Sequence, residues 1–241
     1  MSLIDPANPS RFLSLANRAL PWLAGATALA FAVGLVQASD APDDYQQGAT
    51  VQIMFLHVPS AWLITLIWGL MSIAALGTLV WRHPLADVAA KAAAPIGAAF
   101  MIMCLVTGSL WGRPMLGTYW VWVTRLTSLL VMFLMYLGLI VLYWTAEAPS
   151  SAARPAAILI LVGAVILPII RFSVVWWNIL HQPPSAIRMG APAIHPSILT
   201  PLLLMALAYV LLFMRLLVAA MRNEILRQCV RTLRLIQANE A

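Results

Sequence analysis

Residues 111–128 combine large aromatic, flexible and basic side chains between two long apolar stretches. The segment reads WGRPMLGTYWVWVTRLTS and holds three of the ten tryptophans, one tyrosine, two glycines, one proline and two arginines. Broad aromatic rings beside glycines, which permit close approach, suit a flat and mostly apolar ligand. Arginines suit anionic groups at the edge of such a ligand. A plain connecting loop rarely has this composition.

Two histidines indicate the same kind of ligand. His57 follows Leu56 early in one apolar stretch, and His181 lies shortly after Trp176 and Trp177 at the end of another. A single histidine near a membrane interface is more often a hydrogen-bonded polar residue than a ligand. Neutral imidazole is nevertheless a standard axial ligand of haem iron. Aromatic rings, a basic edge and two histidines together indicate haem.

The composition is that of an integral membrane protein. The 241-residue chain is 63% hydrophobic and 9% charged, whereas soluble domains carry roughly 25% charged residues. Spanning segments of about 20 apolar residues form helices, because helices satisfy their own backbone polar groups. The first span has some features of a signal peptide, but its apolar run is longer than a typical one, so we expect it to be retained. We predict an all-α fold, with one membrane domain over residues 1–241 and six transmembrane helices at about 19–37, 51–81, 92–111, 126–145, 155–177 and 198–221.

The distribution of lysine and arginine predicts that both termini are cytoplasmic. Nine basic residues fall on one side of the six spans, namely Arg11, Arg18, Arg82, Lys91, Arg154, Arg222, Arg227, Arg231 and Arg234. Three fall on the other side, namely Arg113, Arg125 and Arg188. The 111–128 segment, His57 and His181 then share the outer face, which is the periplasm in a Gram-negative cell. His195 lies in an outer loop and competes as a ligand, whereas His83 lies at the cytoplasmic end.

The candidate ligand-binding residues centre on the 111–128 segment. They are Trp111, Gly112, Pro114, Gly117, Thr118, Tyr119, Trp120, Trp122 and Arg125, together with Trp176, Trp177, His57 and His181. An aromatic belt at the membrane interface is the other interpretation of the tryptophans, and it fits Trp22 and Trp144 better than this segment. Arg125 opens the fourth span, where the helix dipole disfavours a cation. An anion such as a propionate would explain its position, and so would snorkelling to the interface.

Several classes of protein lack support in the sequence. The chain has no glycine-rich phosphate loop ending in Lys-Ser or Lys-Thr, so ATP hydrolysis is not expected. The outer region holds neither a nucleophile with a base nor a carboxylate pair, so we predict a binding protein and not an enzyme. The basic residues follow the span ends, which argues against nucleic-acid binding. Two alternatives stay open: a membrane b-type cytochrome, which usually has histidines at both depths, and a small-solute transporter, which often has inverted repeats.

Seven short segments carry a family resemblance. They are Asp44–Gly48, Leu56–Pro59, Ala94–Gly97, Thr107–Ser109, 111–128, Leu167–Ile170 and Trp176–Gln182, and they cover about residues 40–185. In these segments and in their order the sequence resembles the CcmC family of haem-handling membrane proteins in cytochrome c biogenesis. The tryptophan-rich motif of that family also occurs in CcmF and CcsA.

The resemblance implies a site, a location and a set of partners. It implies His57 and His181 as axial ligands of a non-covalent, transiently held b-type haem, Arg125 as the partner of a haem propionate, and 111–128 as a haem platform facing the periplasm from the bacterial inner membrane. It further implies delivery of haem to the chaperone CcmE, with the ATP-binding cassette subunits CcmA and CcmB as partners and a small CcmD-type subunit as a further candidate. In one departure, Val123 stands where the family usually has an aspartate.

Overall fold

The computed structural model describes residues 8–146, 149–177 and 194–240, with the backbone alone at 149, 150, 174, 175 and 177. Seven α-helices lie in these ranges: α1 Pro9–Ser39, α2 Met54–Trp81, α3 Pro84–Leu116, α4 Thr124–Thr145, α5 Pro149–Ala164, α6 Ile166–Trp177 and α7 Pro196–Glu240. A short 3-10 helix, Ala49–Ile53, leads into α2. The ranges contain no β-strand, only an isolated bridge between Asp44 and Gly48.

Six helical segments are long and apolar enough to cross a membrane, and α5 and α6 together supply one of them. This confirms the predicted all-α class with six spanning helices. Several helices extend beyond the apolar stretches in the sequence, since a formed helix continues through polar residues once it has been nucleated. At about 1.5 Å per residue, the 45 residues of α7 reach well past a hydrocarbon core of about 30 Å.

Four helices interlock around two aromatic side chains. Trp68 of α2 and Tyr136 of α4 meet edge to face with ring centroids 4.6 Å apart. The Trp68 indole donates to the carbonyl of Ile160 in α5 at 3.0 Å. Gly97 of α3 and Gly163 of α5 leave room for these rings, because a Cβ at either position would overlap them. Small residues of this kind allow close helix packing where lipid supplies no hydrophobic drive.

The chain direction places two sets of helix ends at opposite faces of the bundle. One face carries the ends of α1, α3 and α6 and the starts of α2, α4 and α7. The other face holds a polar cluster in which Lys91 and Glu224 form a salt bridge of 2.5 Å. Nearby, the Tyr143 hydroxyl donates to Asp87 at 3.1 Å. The 111–128 segment lies at the first face.

Candidate functional site

A cavity of about 460 Å³ opens at the face that holds the 111–128 segment. Its volume lies in the range of small-molecule and cofactor sites. α2 and α3 supply most of its wall, and residues from the 118–121 connection, α4, α6 and the start of α7, together with Gln47 and Ile194, complete it. The polar side chains in the wall include His57, Arg125 and Arg171 among aliphatic and aromatic neighbours.

His57 is held in one orientation by two acceptors on α3. Its Nδ1 lies 3.1 Å from the carbonyl oxygen of Cys104 and 3.1 Å from the Thr107 hydroxyl. That hydroxyl donates its own proton to the Met103 carbonyl at 2.6 Å, so it can accept from the imidazole. A carbonyl oxygen only accepts, and Nδ1 must therefore carry the proton. Nε2 is then the unprotonated nitrogen, which is the form that binds a metal.

Gly108 makes this approach of α2 to α3 possible. A Cβ at Gly108 would lie 3.0 Å from the His57 Cε1 atom, tighter than ordinary packing allows. The sequence places Thr107 and Gly108 in a segment with family resemblance but assigns them no role. Their position in the sequence could have indicated a role in the site, because they lie four and three residues before Trp111. This places them in the last turns of α3, which face α2.

The tryptophan-rich connection folds back over the end of α3. Gly117 ends the helix in the left-handed region at φ 76°. The Arg113 guanidinium donates to the Gly117 carbonyl at 2.6 Å and lies 5.5 Å over the Tyr119 ring. Gly112 allows the connection to pass close by, because a Cβ there would lie 3.1 Å from the Thr118 carbonyl. Backbone geometry thus holds the aromatic segment against the mouth of the cavity.

The three tryptophans of this segment occupy different positions. Trp111 lines the cavity and donates from its indole to Gln47 at 2.9 Å. Trp120 also lines it, and its indole nitrogen is buried with no hydrogen-bond partner in the described part of the chain. Trp122 is 74% exposed and packs edge to face on Trp120 at 5.6 Å. The segment therefore presents two tryptophan rings to the cavity and one to the outside.

The structure brings most of the sequence candidates together. Those in the cavity wall are His57, Trp111, Gly112, Thr118, Tyr119, Trp120 and Arg125. Pro114, Gly117 and Trp122 lie beside the cavity and not in its wall. Trp176 stacks on Phe172 at 5.3 Å. The Trp177 side chain and His181 lie outside the described residues. Arg171 of α6, which is not among the sequence candidates, is a further member of the wall.

Val123 leaves the start of α4 without a side-chain cap. It occupies the N-cap position with extended backbone, φ −103° and ψ 155°, and makes no capping hydrogen bond. Val123→Asp should raise the stability of the protein by about 0.5–2 kcal/mol, because a carboxylate can accept from the first backbone amides of the helix. Thermal unfolding in detergent measures this. Val123→Asn should retain much of the gain and Val123→Leu none; equal stability of all three would contradict the capping argument.

Taken together, the site defines a multi-pass membrane protein with a cavity at one face of the helix bundle that combines a metal-ready imidazole, aromatic rings and guanidinium groups. Comparison with known proteins names the family. The family model of CcmC, Heme exporter protein C, matches residues 2–236, and the chain belongs to that family.

Relatives of this family align along nearly the whole chain. Heme exporter protein C of Bradyrhizobium diazoefficiens is 66% identical over 239 residues, which are 99% of this chain and 91% of that protein. The protein of the same name in Paracoccus denitrificans is 42% identical, over 95% of both chains. That of Escherichia coli K12 is 43% identical, over 91% of this chain and 89% of its own.

Proposed function

We propose that this protein binds haem in the cavity and delivers it to the haem chaperone CcmE during cytochrome c maturation. Membership of the Heme exporter protein C family supports a role in the haem-handling system of cytochrome c biogenesis. The observation that carries the proposal is the state of His57, whose Nδ1–H is engaged by α3 while Nε2 is left as the free ligand atom.

The residues of the wall fit haem as a cargo. When one ring nitrogen of a histidine donates to a carbonyl, the imidazole is held in a fixed orientation and its other nitrogen is a more basic metal ligand. The rings of Trp111 and Trp120 can cover an apolar macrocycle, and the partnerless indole N–H of Trp120 can donate to a polar group of the ligand. Arg125 offers a guanidinium to a propionate. Transient binding suits a protein that must release what it holds.

His181 is the proposed second axial ligand. It follows Trp177, the last residue of α6, by four positions in the sequence, and α6 ends at the same face of the bundle as His57. His181 therefore follows in sequence a helix end at the face that holds His57, and this supports it as a ligand of the same haem. The pair would hold the iron from two sides, as expected for a non-covalent b-type haem.

The orientation in the bacterial inner membrane follows from the charge asymmetry. We propose one six-span domain with both termini in the cytoplasm and the cavity facing the periplasm, because basic residues concentrate at the face opposite the cavity. Reporter fusions at Ala148 and after Ala241 should then report cytoplasm, and fusions near Asp43, Met115 and Ser185 periplasm. A cytoplasmic signal at Met115 would place the cavity in the wrong compartment and overturn the proposal.

Delivery to the chaperone is tested directly by haem loading of CcmE in cells. A strain that lacks its own CcmC-family protein should load CcmE when this chain is supplied with CcmA, CcmB and a CcmD-type subunit. Cells with the Val123→Asp variant should contain more loaded chaperone at an equal level of the variant protein, because a charged group at this outer surface can assist docking. No loading by the wild-type chain, although the purified protein holds haem, would refute delivery and leave binding intact.

A further inference from the structure

Arg171 of α6 and Arg125 of α4 face the same cavity. Both side chains contribute to its wall, and the two guanidinium groups interact electrostatically. Arg171 is exposed, whereas Arg125 is partly buried, and both line the cavity. The cavity therefore has two like charges on neighbouring helices at its polar side.

No acidic residue compensates these charges in the described part of the chain. The cavity wall contains neither aspartate nor glutamate. The salt bridge between Lys91 and Glu224 lies at the opposite face. Asp44, on the same face as the cavity, already accepts two backbone amide bonds from Gln46 and Gln47. Residues 178–193, which follow α6 and lie outside the description, contain no acidic residue in their sequence.

Two cations without an acidic partner beside an apolar cavity favour the binding of an anionic ligand. Ionisable groups at membrane depth are costly unless a partner offsets them, and they mark sites of ligand or ion binding. A guanidinium binds a carboxylate through two parallel hydrogen bonds, so two guanidiniums match two carboxylates better than one. A ligand with a single carboxylate would leave one arginine unpaired.

We propose that Arg125 and Arg171 form a paired anion site that recognises the two carboxylates of a dicarboxylate porphyrin, with Arg171 as a second specificity-determining residue. The inference rests on the proposed haem function and adds to it the feature by which the cavity selects its ligand. The cavity should distinguish a porphyrin by its carboxylates, independently of the iron and its axial ligands.

The test compares haem with its dimethyl ester, in which both carboxylates are neutral, by titrating detergent-purified protein. Charge-assisted hydrogen bonds contribute on the order of tenfold or more in affinity each. We expect the wild-type protein to bind the diacid roughly a hundredfold more tightly than the diester, and Arg125→Gln and Arg171→Gln each to reduce this ratio to about tenfold. The double variant should bind both ligands alike, Arg171→Lys should lie between wild type and Arg171→Gln, and the control Arg154→Gln, far from the cavity, should behave as wild type.

Equal affinity of the wild-type protein for diacid and diester would overturn the proposal even if the Arg171 variants fail to fold. Loss of both ligands to the same extent in Arg171→Gln would assign Arg171 a structural role and also overturn it, while haem binding itself would stand. Binding of neither ligand by the wild-type protein would instead refute the haem function on which the inference rests.

Discussion

His57→Ala is expected to remove most of the haem from the purified protein. The variant has no imidazole at this position of the cavity wall, and the amide and hydroxyl groups nearby are poor replacements. Loss of an outer partner of a ligating histidine typically costs 10–100-fold in metal affinity, so loss of the histidine itself should cost at least about a hundredfold. Haem content per protein and the absorption spectrum measure the effect.

Two further histidine variants complete that experiment. His181→Ala should also lower haem occupancy and change the spectrum, since one axial position would be open or refilled. His83→Ala should leave both unchanged, because His83 precedes α3 at the face opposite the cavity. Full haem and an unchanged spectrum in the His57→Ala, His181→Ala double variant would show that the ligands lie elsewhere.

Trp120→Ala should weaken haem retention by roughly tenfold to a hundredfold. The ring forms part of the cavity wall, and burying an indole face against a ligand contributes a few kcal/mol at most. Trp120→Phe should retain more than Trp120→Ala, because it keeps a ring and loses only the indole N–H. Haem dissociation to a soluble haem scavenger measures retention.

Matched tryptophans on the same protein provide the control. Trp144 is 84% exposed near the other end of α4, and Trp22 is 82% exposed on α1, so alanine at either position should affect anchoring alone. Trp122→Ala should spare retention more than Trp120→Ala and impair transfer to the chaperone, since its ring faces outward. Equal losses at Trp120, Trp122 and Trp144 would favour a plain aromatic belt.

The sequence predicts the spanning helices well because hydropathy is a local property. Lipid removes the alternatives to a helix, so an apolar stretch of sufficient length leaves few choices. Helix ends are less predictable: α7 continues to Glu240 through a basic, polar segment that hydropathy assigns to a tail. Its length depends on helix propagation and not on the apolar run.

The details of the site depend on how neighbouring helices rotate and pack. His57 stands out in the sequence, but its partners Cys104 and Thr107 lie on another helix, and their contact with the ring depends on Gly108. The role of Arg171 in the cavity is not recognisable from the sequence for a similar reason. Its place in the cavity follows from the side of α6 that packs against α4, which no single-helix pattern reveals. Inter-helix register of this kind is fixed by side-chain packing, of which the Trp68–Tyr136 contact is an example.

Imidazole rescue of His57→Gly tests most directly whether the His57 imidazole binds the iron. Glycine leaves a space of the size of the lost ring, and free imidazole can enter it and present a nitrogen to the metal. We expect His57→Gly to hold little haem without imidazole and to regain haem and a spectrum typical of two nitrogen ligands when imidazole is added, while His83→Gly needs no rescue. A His57→Gly variant that keeps the wild-type haem content and spectrum in the absence of imidazole would contradict the assignment of His57 as the ligand.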